Sequence, residues 1–97
     1  MVTSSAVIQT LDDLRHYVKN ILCLENQLEI DAFPLTERTL IRSNRPCGVM
    51  FCLHGPRAVK LSAIWETQRN TVLFYDQTGE RFRKVQLAEA PSLVSNN

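Results

Sequence analysis

Residues 48–87 read GVMFCLHGPRAVKLSAIWETQRNTVLFYDQTGERFRKVQL, and this stretch decides the fold. The runs Gly48–His54, Ala58–Glu66, Thr71–Asp76 and Glu80–Leu87 carry apolar residues at a period of two. Clusters of turn formers separate them: Gly55-Pro56, Gln68-Arg69-Asn70, and Asp76-Gln77-Thr78-Gly79. Short alternating runs with such punctuation specify an antiparallel meander. The last cluster is the best defined. Asp at the first position and Gly at the fourth fit a type I turn with a left-handed glycine, which makes a G1 bulge.

Opposed residues of an antiparallel pair point to the same side of the sheet. Facing Glu66 with Thr71 sets Trp65 against Val72 and Ala63 against Phe74. Facing Asp76 with Glu80 sets Phe74 against Phe82 and Tyr75 against Arg81. One face then collects Val59, Leu61, Ala63, Trp65, Val72, Phe74 and Phe82, and is the expected core. The second face collects Lys60, Ser62, Ile64, Leu73, Tyr75, Arg81 and Arg83, and is amphipathic and basic. For the first strand, a three-residue Gly55-Pro56-Arg57 loop sends Val49, Phe51 and Leu53 to the core. A two-residue turn would send Met50 and Cys52 there, because a slip of one residue flips every side chain. The first register buries the larger apolar set and leaves Met50, Cys52 and His54 on the second face.

Upstream, the period changes from two to three and four. Leu11, Leu14, Val18, Ile21 and Leu22 make an amphipathic stripe, predicting a helix from Leu11 to about Glu25. Thr10 is its expected N-cap, accepting from the Asp12 or Asp13 amide, with both carboxylates at the positive end of the helix. The helix ends before Phe33-Pro34, since the residue preceding a proline avoids helical angles. Thr39–Arg42 is a candidate short strand, ended by Ser43-Asn44-Arg45-Pro46. Residues 1–9 read as a loose tail or a short strand at Ala6-Val7-Ile8, and residues 88–97 as a loose tail. The fold class is therefore α+β: one domain over residues 1–97, with an N-terminal helix packed on a four- or five-stranded antiparallel β-meander.

The totals set the limits. Ninety-seven residues, 44% apolar and 22% charged, suit one soluble globular domain. No apolar run reaches the 18–20 residues or so that a membrane span needs. The segment MVTSSAVIQT lacks the basic and apolar regions of a secretion signal, so a cytoplasmic location is expected. Three cysteines, an odd number, read as reduced thiols. The net charge of +1 is unevenly spread, with −3 over residues 1–36 and +4 over residues 37–97. Such a split suits an anionic partner for the sheet, head-to-tail self-association, or simply two solvated faces.

Three kinds of chemistry come into question. Cys47, Cys52 and His54 with Cys23 supply zinc-type donors but lack the paired knuckle spacing of a zinc site, and small core cysteines are the simpler reading. Cys52 with His54 as its base forms a neighbouring pair on one strand, without an orienting residue or an oxyanion donor. Arg38, Arg42, Arg45, Arg57, Lys60, Arg81, Arg83 and Lys84 beside Tyr75 suggest nucleic acid. Against that stand a pI of 7.8 and the missing run of aromatics on a central strand. His16 reads as a surface residue of the helix, and Gly55 and Gly79 as turn glycines without phosphate-loop spacing. No cofactor motif is present.

The blocks Arg45–Gly48, Leu53–Arg57, Ala63–Glu66, Leu73–Asp76 and Thr78–Phe82 resemble a group of small uncharacterised planctomycete-type bacterial proteins. The resemblance covers the C-terminal half and implies no activity, cofactor or catalytic residue. From the residues themselves, the expected role is a non-enzymatic interaction module, homodimeric through the second sheet face and without a membrane partner. The expected partner-binding residues are Lys60, Ile64, Leu73, Tyr75, Arg81 and Arg83. The alternative is a binder of a small anionic ligand or nucleic acid through Lys60, Tyr75, Arg81 and Arg83. A Cys52/His54 enzyme stands third.

Overall fold

In the computed structural model, which describes residues 8–91, one helix precedes a five-stranded antiparallel sheet. Helix α1 spans Leu11–Glu25, as the apolar stripe predicts. Thr10 caps it: the Asp13 amide donates to the Thr10 hydroxyl at 3.0 Å, while the Thr10 and Gln9 amides donate back to the Asp13 carboxylate. This reciprocal box satisfies amides that otherwise have no partner in the first turn. Those amide hydrogen bonds also hold the Asp13 carboxyl below its ordinary range.

The strands are β1 (Leu35–Arg42), β2 (Arg45–His54), β3 (Lys60–Glu66), β4 (Thr71–Tyr75) and β5 (Arg81–Gln86), in the spatial order β1-β2-β3-β4-β5. Every neighbour in the sheet is a neighbour in the chain. The pairings Glu66 with Thr71, Trp65 with Val72 and Ala63 with Phe74 form as expected. So does the bulged turn, where the Gly79 amide donates to the Asp76 carbonyl at 3.0 Å and Gly79 takes φ 87°. The Asp76 carboxylate accepts from the Thr78 hydroxyl and from the Thr78 and Glu80 amides, which holds its carboxyl low.

The core lies between α1 and one face of the sheet, here called the helix face. Leu14, Val18 and Leu22 of the helix pack with Val49, Phe51, Leu53, Leu61, Ala63, Trp65, Val72 and Phe74, all essentially without exposure. The Tyr17 ring meets Phe74 edge-on at 6.3 Å, and burial pushes the Tyr17 phenol up. Cys23 is buried in the same core, and burial raises its thiol as well. Leu28 and Phe33, from the chain between α1 and β1, pack against the core margin.

Four features depart from the sequence reading. The first strand begins at Leu35 rather than Thr39. Its residues are mostly exposed, because an edge strand can pair through its backbone without burying side chains. The second strand begins at Arg45, since Ser43 and Asn44 both take left-handed φ (51° and 64°) and close a two-residue hairpin. Pro46 falls beside the bulge in that hairpin and precedes the ladder to β3, so its missing N–H breaks no central pairing.

The β2–β3 connection is two residues longer than expected, with His54 facing Lys60. An even shift leaves every side chain on its expected face. The fourth difference does move a side chain. A register shift at Phe74/Tyr75 sets Phe74 opposite Arg83, with Phe82 as the extra residue. Phe82 still touches Phe74 (centroids 6.1 Å apart), but Arg83 turns to the helix face.

Among the tails, Ile8 is not in a strand and packs against the core, and Leu87 and Pro91 are buried rather than loose. The expectations for residues 1–7 and 92–97 lie outside the described residues.

Candidate functional site

The sheet face away from α1 is built of rows that cross all five strands. The first runs Thr36, Cys52, Ser62, Tyr75, Arg81. The second runs Arg38, Met50, Ile64, Leu73, Lys84, and the third Leu40, Gly48, Glu66, Thr71, Gln86. His54 and Lys60 pair just beyond the first row. Among the described residues no helix lies over this face, so it is referred to as the open face. Its central apolar groups, Met50, Ile64 and Leu73, are half-buried by their sheet neighbours, whereas Arg38, Lys60, Arg81 and Lys84 are exposed.

Of the six residues singled out from the sequence, Lys60, Ile64, Leu73, Tyr75 and Arg81 share the open face. Ile64 and Leu73 are direct cross-strand partners, as are Tyr75 and Arg81. Arg83 does not join them. It reaches the helix side, where its guanidinium lies 3.5 Å from the Glu25 carboxylate. The miss has a physical cause: one residue of bulge reverses the alternation downstream, and the DQTG turn carries no signal for a second irregularity beyond it.

Met50, expected on this face, and Arg38, named only in the basic cluster, are not among those six, although both lie in the second row with Ile64 and Leu73. The signal for Arg38 was the strand itself, which reads as polar along most of its length. Because only Thr39–Arg42 reads as a strand and its pairing with the next strand is not specified, no register places Arg38.

The cysteine chemistry separates in space. Cys23 sits in the core under α1 and Cys52 on the open face, so the sheet stands between them. Among the described residues no group of three or more His, Cys, Asp or Glu side chains converges as metal ligands would. His54 Nε2 hydrogen-bonds the Thr36 hydroxyl at 2.9 Å, and that hydroxyl also donates to the Cys52 carbonyl. His54 is thus tied across to β1 rather than to the Cys52 thiol.

A groove that sequence reading did not anticipate lies between α1 and residues 31–35, lined by Asp12, Arg15, His16, Lys19 and Asp31. Its cations are already engaged. Arg15 grips Glu37 with two hydrogen bonds, and Lys19 lies 2.7 Å from Asp31. The Arg15–Glu37 contact raises the guanidinium, and Lys19 lowers the Asp31 carboxyl. Internal pairing leaves this groove little charge for a ligand.

Comparisons of the chain with protein-family models, curated proteins and solved structures returned no match. Among the described residues no helix is long and apolar enough to cross a membrane.

Proposed function

We propose that this protein is a small non-enzymatic interaction module that works through the open face of its sheet, in a reducing, cytoplasmic setting. One observation carries the reading. The row Arg38–Met50–Ile64–Leu73–Lys84 is apolar over the three central strands and cationic at both ends. An apolar centre with a charged, wet rim is the anatomy of a protein interface, and Met, Tyr and Arg are enriched there. The three unpaired thiols support the reducing compartment.

The experiment separates residues held for binding from residues held for folding. Leu73→Thr and Ile64→Thr, measured by denaturant unfolding, are expected to change stability by less than about 1 kcal/mol. Leu61→Ala on the helix face is expected to cost about 2–5 kcal/mol. A loss at Leu73 as large as that at Leu61 would make the open face part of the fold's own stability and remove the reading. Face-to-face pairing of two copies is the second reading. The same apolar row favours it, and it is decided by the sedimentation measurement described next.

A further inference from the structure

We infer that the open face receives an amphipathic helix of a partner protein, apolar along one stripe and acidic along both flanks. This rests on the reading of that face as an interaction surface and adds the chemistry of its occupant. Four steps of about 4.8 Å between strands put the Arg38 and Lys84 backbones roughly 19 Å apart. The apolar centre, Met50 to Leu73, spans two such steps, or about 10 Å. A helix with its side chains is about 10–12 Å across, so one helix lying along the strands fills the apolar centre with a cation beside each flank.

Charge selects among the occupants. Within the paired rows Arg38, Lys60, Arg81 and Lys84 are opposed only by Glu66. Two copies laid face to face set cationic rim against cationic rim, which works against a second copy. Single-stranded nucleic acid matches the charge but asks for stacking rings, and Tyr75 is the single Phe, Tyr or Trp in the paired rows of this face, with the His54 imidazole tied to Thr36. Phe51, Trp65 and Phe74 all point into the core. An acidic helix satisfies both the apolar centre and the cationic rim.

The test uses the full chain with labelled methyl groups and a designed peptide about four turns long, with Leu on one stripe and Glu on both flanks. Its counterpart has Lys at every Glu position. The Glu peptide is expected to shift the Met50, Ile64 and Leu73 methyl signals and to bind at least about fivefold tighter than the Lys peptide. Arg38→Glu with Lys84→Glu, both at exposed positions, is expected to reverse that preference.

Equal binding of both peptides at those methyls would leave the interaction face standing and overturn the acidic occupant. Tighter binding of single-stranded oligouridylate than of the Glu peptide would overturn it in favour of nucleic acid. Sedimentation velocity showing a dimer that Leu73→Glu dissociates would overturn it in favour of a second copy. If no probe moves the signals of this face and the chain stays monomeric, the interaction reading falls as well.

Discussion

Asn70 joins three parts of the molecule through one side chain. It sits in the β3–β4 turn at φ 50°, a left-handed position that asparagine tolerates better than most residues. Its carbonyl oxygen accepts from the Trp65 indole N–H at 2.9 Å, and its amide donates to the Leu87 carbonyl at 3.2 Å. The backbone adds a third tie, since the Leu87 amide donates to the Asn70 carbonyl at 3.0 Å. The largest core side chain thus has its one polar atom satisfied by a turn residue, and the same residue draws the chain after β5 back onto the sheet. Asn70→Ala leaves the buried indole N–H without a partner and puts alanine, which tolerates positive φ less well than asparagine, at this left-handed position. An unpaired buried donor costs about 1–3 kcal/mol, and the left-handed backbone about 1 kcal/mol more. Asn70→Gly loses the hydrogen bonds but not the backbone fit. In thermal unfolding both variants are expected to melt lower than the wild type, with Ala below Gly. Equal midpoints for the two would show that the backbone of this turn is unstrained.

Among the elements, the two edge strands show how the sheet meets its helix. Glu37 on β1 and Arg83 on β5 lie at opposite ends of one row on the helix face, with Phe51, Ala63 and Phe74 between them. Each is met by an opposite charge from α1: Arg15 holds Glu37, and Glu25 lies near Arg83. The helix is therefore pinned at one end over β1 and at the other over β5. These pairs are about a third to a half exposed, so each contributes at most about 1 kcal/mol. Inward-pointing charges on edge strands have a second effect, because they disfavour docking of another strand on an open edge. Glu37→Val is expected to change unfolding stability by less than about 1 kcal/mol yet to promote concentration-dependent association through β1, read by light scattering. An unaltered monomer at the same concentrations would limit Glu37 to its pairing with Arg15.

For the molecule as a whole, the fold was legible where a periodic signal met burial. The α1 stripe, the Thr10 cap, the faces of β2, β3 and β4 and the bulged Asp76–Gly79 turn all follow from local pattern. What escaped was set by the backbone or by distant partners. In the first half of β1 only Leu35 packs against the core, while Thr36, Glu37 and Arg38 are exposed and offer no alternation to read. The Phe82 bulge reverses one strand, and with it Arg83. The bond from Asn70 to Trp65 exists only once the hairpin has closed. The placement of the candidate site was legible to the same degree: Lys60, Ile64, Leu73, Tyr75 and Arg81 assemble on one face, Arg83 leaves it, and Arg38 and Met50 complete the row.

The central claim is that this row stands ready for a partner, and the most direct measurement is the accessibility of its methyl groups in solution. With a soluble gadolinium chelate added to dilute methyl-labelled protein, Met50, Ile64 and Leu73 are expected to relax markedly faster than Leu22, Leu53 and Val72. Ile64 and Leu73 methyls as protected as those of Leu53 and Val72 would contradict it.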